Sequence, residues 1–173
     1  MQWVFFPLHP ETPPAGRSLE QMFAGRGVDL EAMHQRMADL MRAEGLPYGD
    51  RTHTYNSRLA QELGKWADTQ GCEAIHDALY RAYFVDNRNI SDLEELVRLA
   101  RSVGLGEDEA RDVLVQRRFE GAVDADWEKA RQYGITGVPT FVAAGHGVVG
   151  AQPYEVLERL MNAAGATRQS EGQ

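Results

Sequence analysis

Cysteine is almost absent from this sequence: Cys72 is the only one among 173 residues. A single cysteine excludes an intramolecular disulfide, and it also excludes a Cys-x-x-C redox pair within the sequence. The five histidines are scattered, without the short spacings that bind zinc on one helix or beside paired cysteines. We therefore expect no metal site and no cofactor.

Basic clusters and long apolar runs are also missing. The formal net charge is -8, which disfavours a nucleic-acid partner because the phosphate backbone would be repelled. No apolar stretch is long enough to cross a membrane, and none has the composition of a secretory signal. The sequence thus predicts a cytoplasmic protein with neither a nucleic-acid partner nor a membrane partner.

The residues that are present change their periodicity twice along the chain. Residues 2–8 are aromatic and β-branched, which predicts a strand, and a proline-rich loop follows. From residue 18 to about residue 133, apolar residues recur at helical spacing. The strand pattern returns at residues 138–143 and 146–150, around a turn that contains Gly145, and Pro153 then opens a last helix.

Within the helical stretch, several side chains have predicted structural roles. Ser91 and Glu94 fit a capping box, and Asn56 or Ser57 fits a helix cap. Three methionines at helical spacing predict a buried core stripe, with an adaptable binding surface as the alternative; they are Met33, Met37 and Met41.

Five stretches of the sequence are distinctive when they are taken together. They are residues 6–16, residues 55–60, residues 82–84 with 89–92, residues 134–142 and residues 150–153. Together they resemble the DsbA-like thioredoxin family, specifically its FrnE-type branch of dithiol–disulfide isomerases. The resemblance extends from about Trp3 to Leu160.

The resemblance implies an α/β fold that is thioredoxin-like, of the DsbA type, with a large helical insertion. Residues 1–17 and 134–165 would form the thioredoxin-like portion. Residues 18–133 would form a mainly helical insertion with connecting helices, and residues 166–173 a disordered tail.

Members of that family begin with a strand and with a helix that carries Cys-x-x-C at its N-terminus. Neither is found here, so the first β-α unit is expected to be missing, most simply through a truncated start. Because the missing strand is central, three outcomes are open. Residues 2–8 pair inward with residues 138–143, another chain fills the space, or the sequence is part of a longer protein.

The resemblance also implies a substrate-binding strand at Val138, Pro139 and Thr140. A cis Val138–Pro139 bond would turn the backbone of Val138 toward an extended peptide or thiol substrate. His9 is a further candidate for the groove, although a hydrogen-bonding role within its proline-rich loop is the commoner one. Cys72 shares an apolar helical stripe, which indicates a structural thiol, so no catalytic residue is assigned.

The function implied is that of a thiol–disulfide oxidoreductase family protein with little or no dithiol activity as the sequence stands. Its partners would be a thiol- or disulfide-containing protein or a small thiol, and a homodimer or a strand-supplying chain is also open. One alternative is a non-catalytic module that binds peptides or proteins by strand addition. Another is a relative of the glutathione-dependent isomerases, which use serine in place of the cysteine.

Overall fold

The computed structural model describes residues 2–166, which are mostly helical with a few short strands. The predicted disordered tail lies outside the described residues except for Ala166. In chain order the elements are β1 (Arg17–Ser18), α1 (Leu19–Phe23), α2 (Leu30–Ala43), β2 (His53–Thr54), α3 (Arg58–Thr69), α4 (Ala74–Phe84), α5 (Leu93–Ser102), α6 (Glu107–Val115), α7 (Glu120–Gln132), β3 (Thr140–Ala143), β4 (His146–Val149) and α8 (Tyr154–Ala163).

The chain divides into two compact units. The larger unit is His9–Ala125, and the smaller unit combines Met1–Leu8 with Asp126–Gln173. The larger unit contains most of the helices and the short β1–β2 pair, and the smaller unit contains the β3–β4 pair and α8. The predicted limits of the helical insertion, residues 18–133, stay a prediction.

The core of the larger unit is formed by α3, α4, α5 and α6. Leu63, Ile75, Leu96 and Leu114 are almost completely shielded from solvent. Each of these side chains lies on the apolar face of its own helix, and burying such faces against one another supplies most of the stability of a helical unit.

A carboxylate is buried beside this core. The Glu62 side chain is only 1% exposed, and its Oε1 lies 2.9 Å from Arg58 Nε and 2.6 Å from an Arg117 terminal nitrogen. Arg117 Nε also donates to Glu62 Oε2 at 2.8 Å, so the pair is bidentate. The hydrogen bond to Glu62 raises the pKa of Arg117. The Arg117–Glu62 pair therefore attaches α3 to the turn between α6 and α7.

The predicted capping box at Ser91 and Glu94 is wrong by one residue. Asp92 is the N-cap of α5, and its carboxylate accepts a hydrogen bond from the Glu95 N–H at 2.8 Å. Ser91 Oγ donates instead to the Pro14 carbonyl at 2.6 Å. Serine and aspartate are both good N-caps, so a loop contact distant in sequence decides which of the two neighbours takes that position.

The prediction of a buried methionine stripe on α2 is also wrong. No residue of α2 is fully buried, Met37 is 42% exposed, and Leu40 is 54% exposed. The spacing correctly indicates that these side chains share one face of a helix. It carries no information about whether another element covers that face.

Residues 2–8 form no strand in the structure, contrary to the prediction. A strand is defined by ladder pairing with a neighbour. Here the Phe5 N–H donates to the Asp126 carboxylate at 2.8 Å, and the Leu8 N–H donates to the Phe6 carbonyl at 3.1 Å. The segment has the composition of a strand. However, its Phe5 and Leu8 amides donate to the Asp126 side chain and to a tight turn, and not to a neighbouring strand.

Candidate functional site

The predicted substrate-binding residues lie where the chain enters the hairpin of β3 and β4. The two strands are antiparallel, and Ala143 is opposite His146 across a two-residue turn. Ala144 and Gly145 have φ values of 48° and 81°. Positive φ at both turn residues is typical of the turn that best matches the twist of a hairpin. The local sequence therefore determines the register of β3 against β4.

One edge of β3 faces its partner and the other does not. The Gly150 N–H donates to the Pro139 carbonyl at 2.7 Å. Because hydrogen-bonded and non-hydrogen-bonded pairs alternate in an antiparallel ladder, the backbone groups of Phe141 and Ala143 face β4. Those of Thr140 and Val142 face the opposite edge. Among residues 2–166, no strand is paired with that edge, which we call the open edge.

Val138 and Pro139 come immediately before β3, and the Pro139 carbonyl faces β4. The Val138–Pro139 peptide bond is cis. Val138 is 49% exposed and Pro139 is also exposed. The Thr140 hydroxyl donates to the Gly137 carbonyl at 2.7 Å, which closes the turn that leads into the strand. Val138 and Pro139 are thus exposed immediately before Thr140, the first residue of the open edge.

Helix α8 supports this hairpin from within the same unit. It packs against both β3 and β4, and Leu160 is its buried residue. Pro153, predicted as the first residue of the helix, stands at the N-cap instead, one position earlier. Proline suits either position because neither amide is needed inside the helix.

His9 lies in the larger unit, whereas Val138, Pro139 and Thr140 lie in the smaller one. Its Nδ1 is 3.7 Å from the Glu11 carboxylate, and its carbonyl accepts a hydrogen bond from the Thr12 N–H. The structure therefore gives His9 contacts within its proline-rich loop. Its role in substrate binding stays a prediction.

Asn56 holds the loop that contains His9. Its Nδ2 donates to the carbonyls of Pro10 and Thr12, each at 3.0 Å, and its Oδ1 accepts from the Arg58 N–H at 2.9 Å. Ser57 stands at the N-cap of α3 but makes no capping hydrogen bond with its side chain. Asn56 thus satisfies a helix amide, as predicted, and also makes a loop contact that the sequence alone does not indicate.

Cys72 is a packing residue in this structure. It is partly exposed, it packs against the core of the larger unit, and its thiol lies 3.7 Å from the Val103 carbonyl. A thiol in such a position behaves mainly as a small apolar side chain. These contacts fit the structural role that its helical stripe predicts.

The described residues contain neither a metal-binding cluster nor a helix that could span a membrane. Within residues 2–166, His, Cys, Asp and Glu form no group of three or more that could hold a metal ion. In the same part of the chain, no helix is both long enough and apolar enough to cross a bilayer.

The larger unit has a cavity that no sequence motif indicates. It has a volume of about 440 Å³ and lies between the starts of α1 and α2 and residues 48–53. Arg51 lines it, together with Tyr48, His34 and His53. These residues form no recognisable motif: His34 is on α2, and only the path of the chain after α2 brings the other three to the same cavity.

A family model described as the DSBA-like thioredoxin domain matches residues 1–162 of this chain. Among curated proteins, the uncharacterized protein YwbO of Bacillus subtilis (strain 168) is 30% identical over 88 residues, which are 49% of this chain. The chain spans only 42% of the length of that relative.

Two solved structures resemble this one. A probable DsbA oxidoreductase from Streptomyces coelicolor is similar with a TM-score of 0.85 and 35% identity, over 98% of this chain and 77% of that one. A Nitrosomonas europaea protein, provisionally described as a protein disulfide isomerase, has a TM-score of 0.60 at 16% identity, over 77% of this chain and 72% of that one. The second likeness concerns the fold alone. The predicted fold class, thioredoxin-like of the DsbA type with a helical insertion, is confirmed.

Proposed function

Because the chain belongs to the DsbA-like thioredoxin domain family, we propose that it acts in thiol–disulfide chemistry by holding an extended substrate. The substrate would be a thiol- or disulfide-containing protein, or a small thiol. With Cys72 as the only cysteine, the chain has no dithiol of its own to exchange electrons with a substrate disulfide. Substrate holding is the part of the chemistry that its residues support.

The open edge of β3 is the observation that carries this proposal. Thr140 and Val142 present their backbone groups along this edge, Val138 precedes them, and no strand is paired with the edge among the described residues. An extended peptide can add to such an edge through main-chain hydrogen bonds, while the pleat directs alternate side chains into contact. We therefore assign substrate holding to Val138, Pro139 and Thr140.

A finer assignment, to the FrnE-type branch of the family, is also part of the proposal. It is supported by the distinctive stretches at residues 6–16 and 150–153. The second of them includes Pro153, which caps the helix that supports the hairpin. The predicted cytoplasmic location, homodimer and strand-supplying chain stay predictions.

A second candidate function is a non-catalytic peptide- or protein-binding module. The same open edge supports it, and the single cysteine favours it over an exchange reaction. The two functions differ in their ligands: a substrate holder prefers cysteine-containing peptides, and a general module does not.

The test of the proposed site is peptide binding by substitution variants. The probe is a short labelled peptide with one S-methylated cysteine, measured by fluorescence anisotropy. Thr140→Pro removes an amide from the open edge and should weaken binding about tenfold, the effect of losing roughly 1–2 kcal/mol of main-chain hydrogen bonding.

Two controls separate this effect from damage to the fold. Val149→Pro removes an amide from the outer edge of β4, and Thr140→Val removes only the hydroxyl bonded to Gly137. Both should bind the peptide within about twofold of the parent. Equal weakening by Thr140→Pro and Val149→Pro, with circular dichroism unchanged, would contradict the assignment of the open edge.

Two further assays distinguish the candidate functions. The chain should not accelerate insulin reduction by dithiothreitol, because it lacks a dithiol. Replacing the S-methylated cysteine of the peptide by serine should weaken binding if the chain holds thiol substrates. Unchanged binding would favour the general module.

A further inference from the structure

The open edge of β3 has none of the features that usually block an unpaired strand. Proteins protect such edges with charged side chains, prolines or bulges. The sequence of β3 is Thr-Phe-Val-Ala, which contains neither a charge nor a proline, and its ladder with β4 runs without a bulge. The outward backbone groups of Thr140 and Val142 are therefore available to an added strand.

Val142 has no side chain opposite it on β4. The residue opposite is Gly147, and a Cβ built there would meet, apart from its chain neighbours, only the Phe141 carbonyl oxygen within 4 Å, at 3.9 Å. Side chains directly opposite each other are the pairs that stabilise a sheet. Val142 lacks this contact and is 44% exposed, so its apolar surface is available to a neighbour on the open edge.

The side chains of the hairpin divide between two faces. Because successive side chains of a strand alternate, Thr140 and Val142 share one face with Val149, and Phe141 shares the other with Val148. Phe141 and Val148 are partly buried, whereas Val142 and Val149 are exposed. We call the face of Thr140, Val142 and Val149 the valine face. It presents apolar surface next to the open edge.

The charge of the hairpin restricts what this face can accept. Neither β3 nor β4 contains an acidic residue, a lysine or an arginine. An ionised side chain of an added strand would lose water on the valine face without meeting an opposite charge on either strand, which is unfavourable. An uncharged, apolar side chain is the better match.

These observations identify the side chain that the site selects. We propose that the peptide held at the open edge carries an aromatic residue directly opposite Val142. Hydrogen bonds with Thr140 and Val142 align the added strand, and the pleat then places that residue on the valine face. There it makes the cross-strand contact that Gly147 cannot make, and aromatic side chains pair well with β-branched ones. This inference rests on the substrate holding proposed for β3, and it makes Val142 the residue that determines specificity.

The test uses short labelled peptides and fluorescence anisotropy. One peptide contains an S-methylated cysteine among alanines, and in a matched set a single phenylalanine replaces each alanine in turn. The tightest-binding phenylalanine peptide should bind the parent protein about three- to fivefold more tightly than the alanine peptide. Aspartate at the same position should bind more weakly than alanine. No advantage for phenylalanine at any position, or equal binding of aspartate and phenylalanine, would overturn the proposal.

Substitution of the protein identifies the residue responsible. Val142→Ala should remove the advantage of phenylalanine over alanine. Val149→Ala is the matched control, because it removes the same exposed apolar group from the valine face but lies one strand further from the open edge. That variant should keep the advantage within about twofold of the parent. If both variants keep it, or if both lose it equally, the assignment of Val142 is wrong.

The alanine peptide separates this inference from the proposed function. Thr140→Pro should weaken its binding through the main chain alone, so an unchanged affinity would contradict substrate holding at β3 itself. Weakened binding together with an unchanged phenylalanine advantage in Val142→Ala would contradict only the selection of an aromatic residue. Sedimentation identifies a different occupant: a dimer that Thr140→Pro dissociates, with no peptide bound by the parent, would show that a second copy of the chain pairs with the edge and would overturn the proposal.

Discussion

Gly49 lies against the backbone of the residues that end α4. Its N–H donates to the Phe84 carbonyl at 3.0 Å, and a Cβ built on it would be 1.9 Å from the Val85 carbonyl oxygen. The nearest atoms belong to the Val85 main chain and not to the end of a flexible side chain, so a Cβ at this position would force the backbone to shift. Gly49 therefore positions the segment from Tyr48 to His53, which forms one wall of the cavity.

We expect Gly49→Ala to lower the free energy of unfolding by at least about 2 kcal/mol, since a clash with backbone forces part of the fold to shift. Urea denaturation measures this. Gly121→Ala is the matched control, because Gly121 is inside α7 with open space around its Cβ position. That change should raise stability by up to about 1 kcal/mol through helix propensity. Similar losses for both variants would contradict the close approach at Gly49.

The candidate site shows which single residues a sequence can reveal. Val138, Pro139 and Thr140 are contiguous at the start of a strand pattern with turn residues, and the family resemblance of that stretch indicated them as substrate-binding residues. Arg51 carried no such pattern. Its contacts with Tyr83 and Phe84 join residues more than thirty positions apart, and these contacts arise only when the chain folds.

Among the elements, α2 and α5 contrast most clearly. Both have apolar residues at helical spacing, but α5 buries Leu96, Val97 and Leu99, whereas α2 buries no residue fully. Amphipathic spacing accompanies both arrangements. The neighbours of each helix decide whether its apolar face contributes to stability.

A pair of alanine substitutions measures this contrast. Leu96→Ala should lower the free energy of unfolding by about 2–5 kcal/mol, because it leaves a cavity in the core. Leu40→Ala should change it by less than about 0.5 kcal/mol, because Leu40 is 54% exposed. Both values come from thermal or urea unfolding at several protein concentrations. A large cost for Leu40→Ala would show that something covers α2 in solution, and dependence on concentration would identify a second copy of the chain.

At the scale of the whole molecule, acidic residues outnumber basic ones. Several of the acidic residues form ion pairs with arginines. The hydrogen bond from Arg111 lowers the pKa of Glu94 from its ordinary value of 4.5. The hydrogen bond from Arg131 likewise lowers the pKa of Glu128. Because these carboxylates bind protons more weakly in the folded state, the unfolded chain takes up more protons in acid.

The stability from these pairs should be fully present above about pH 4.5 and should be lost as the pH falls through the lowered values. We expect Arg111→Gln to reduce the drop in the free energy of unfolding between neutral pH and about pH 4. Urea denaturation at a series of pH values measures this drop. Arg36→Gln removes an equal charge from exposed α2 and should leave the drop almost unchanged. If both variants reduce the drop equally, overall charge rather than the Glu94–Arg111 pair is responsible.

The sequence by itself determined the mainly helical character of the stretch from residue 18 to about residue 133, the turn between β3 and β4, and the helix that follows them. These features depend on periodicity, on turn residues and on neighbours along the chain, all of which are local. Tertiary structure alone decided that residues 2–8 form no strand, that Asp92 rather than Ser91 caps α5, and that α2 remains uncovered. It also placed the Arg51 guanidinium over the rings of Tyr83 and Phe84. These outcomes depend on contacts between segments distant in sequence, whose competition for hydrogen bonds and apolar surface no local pattern records.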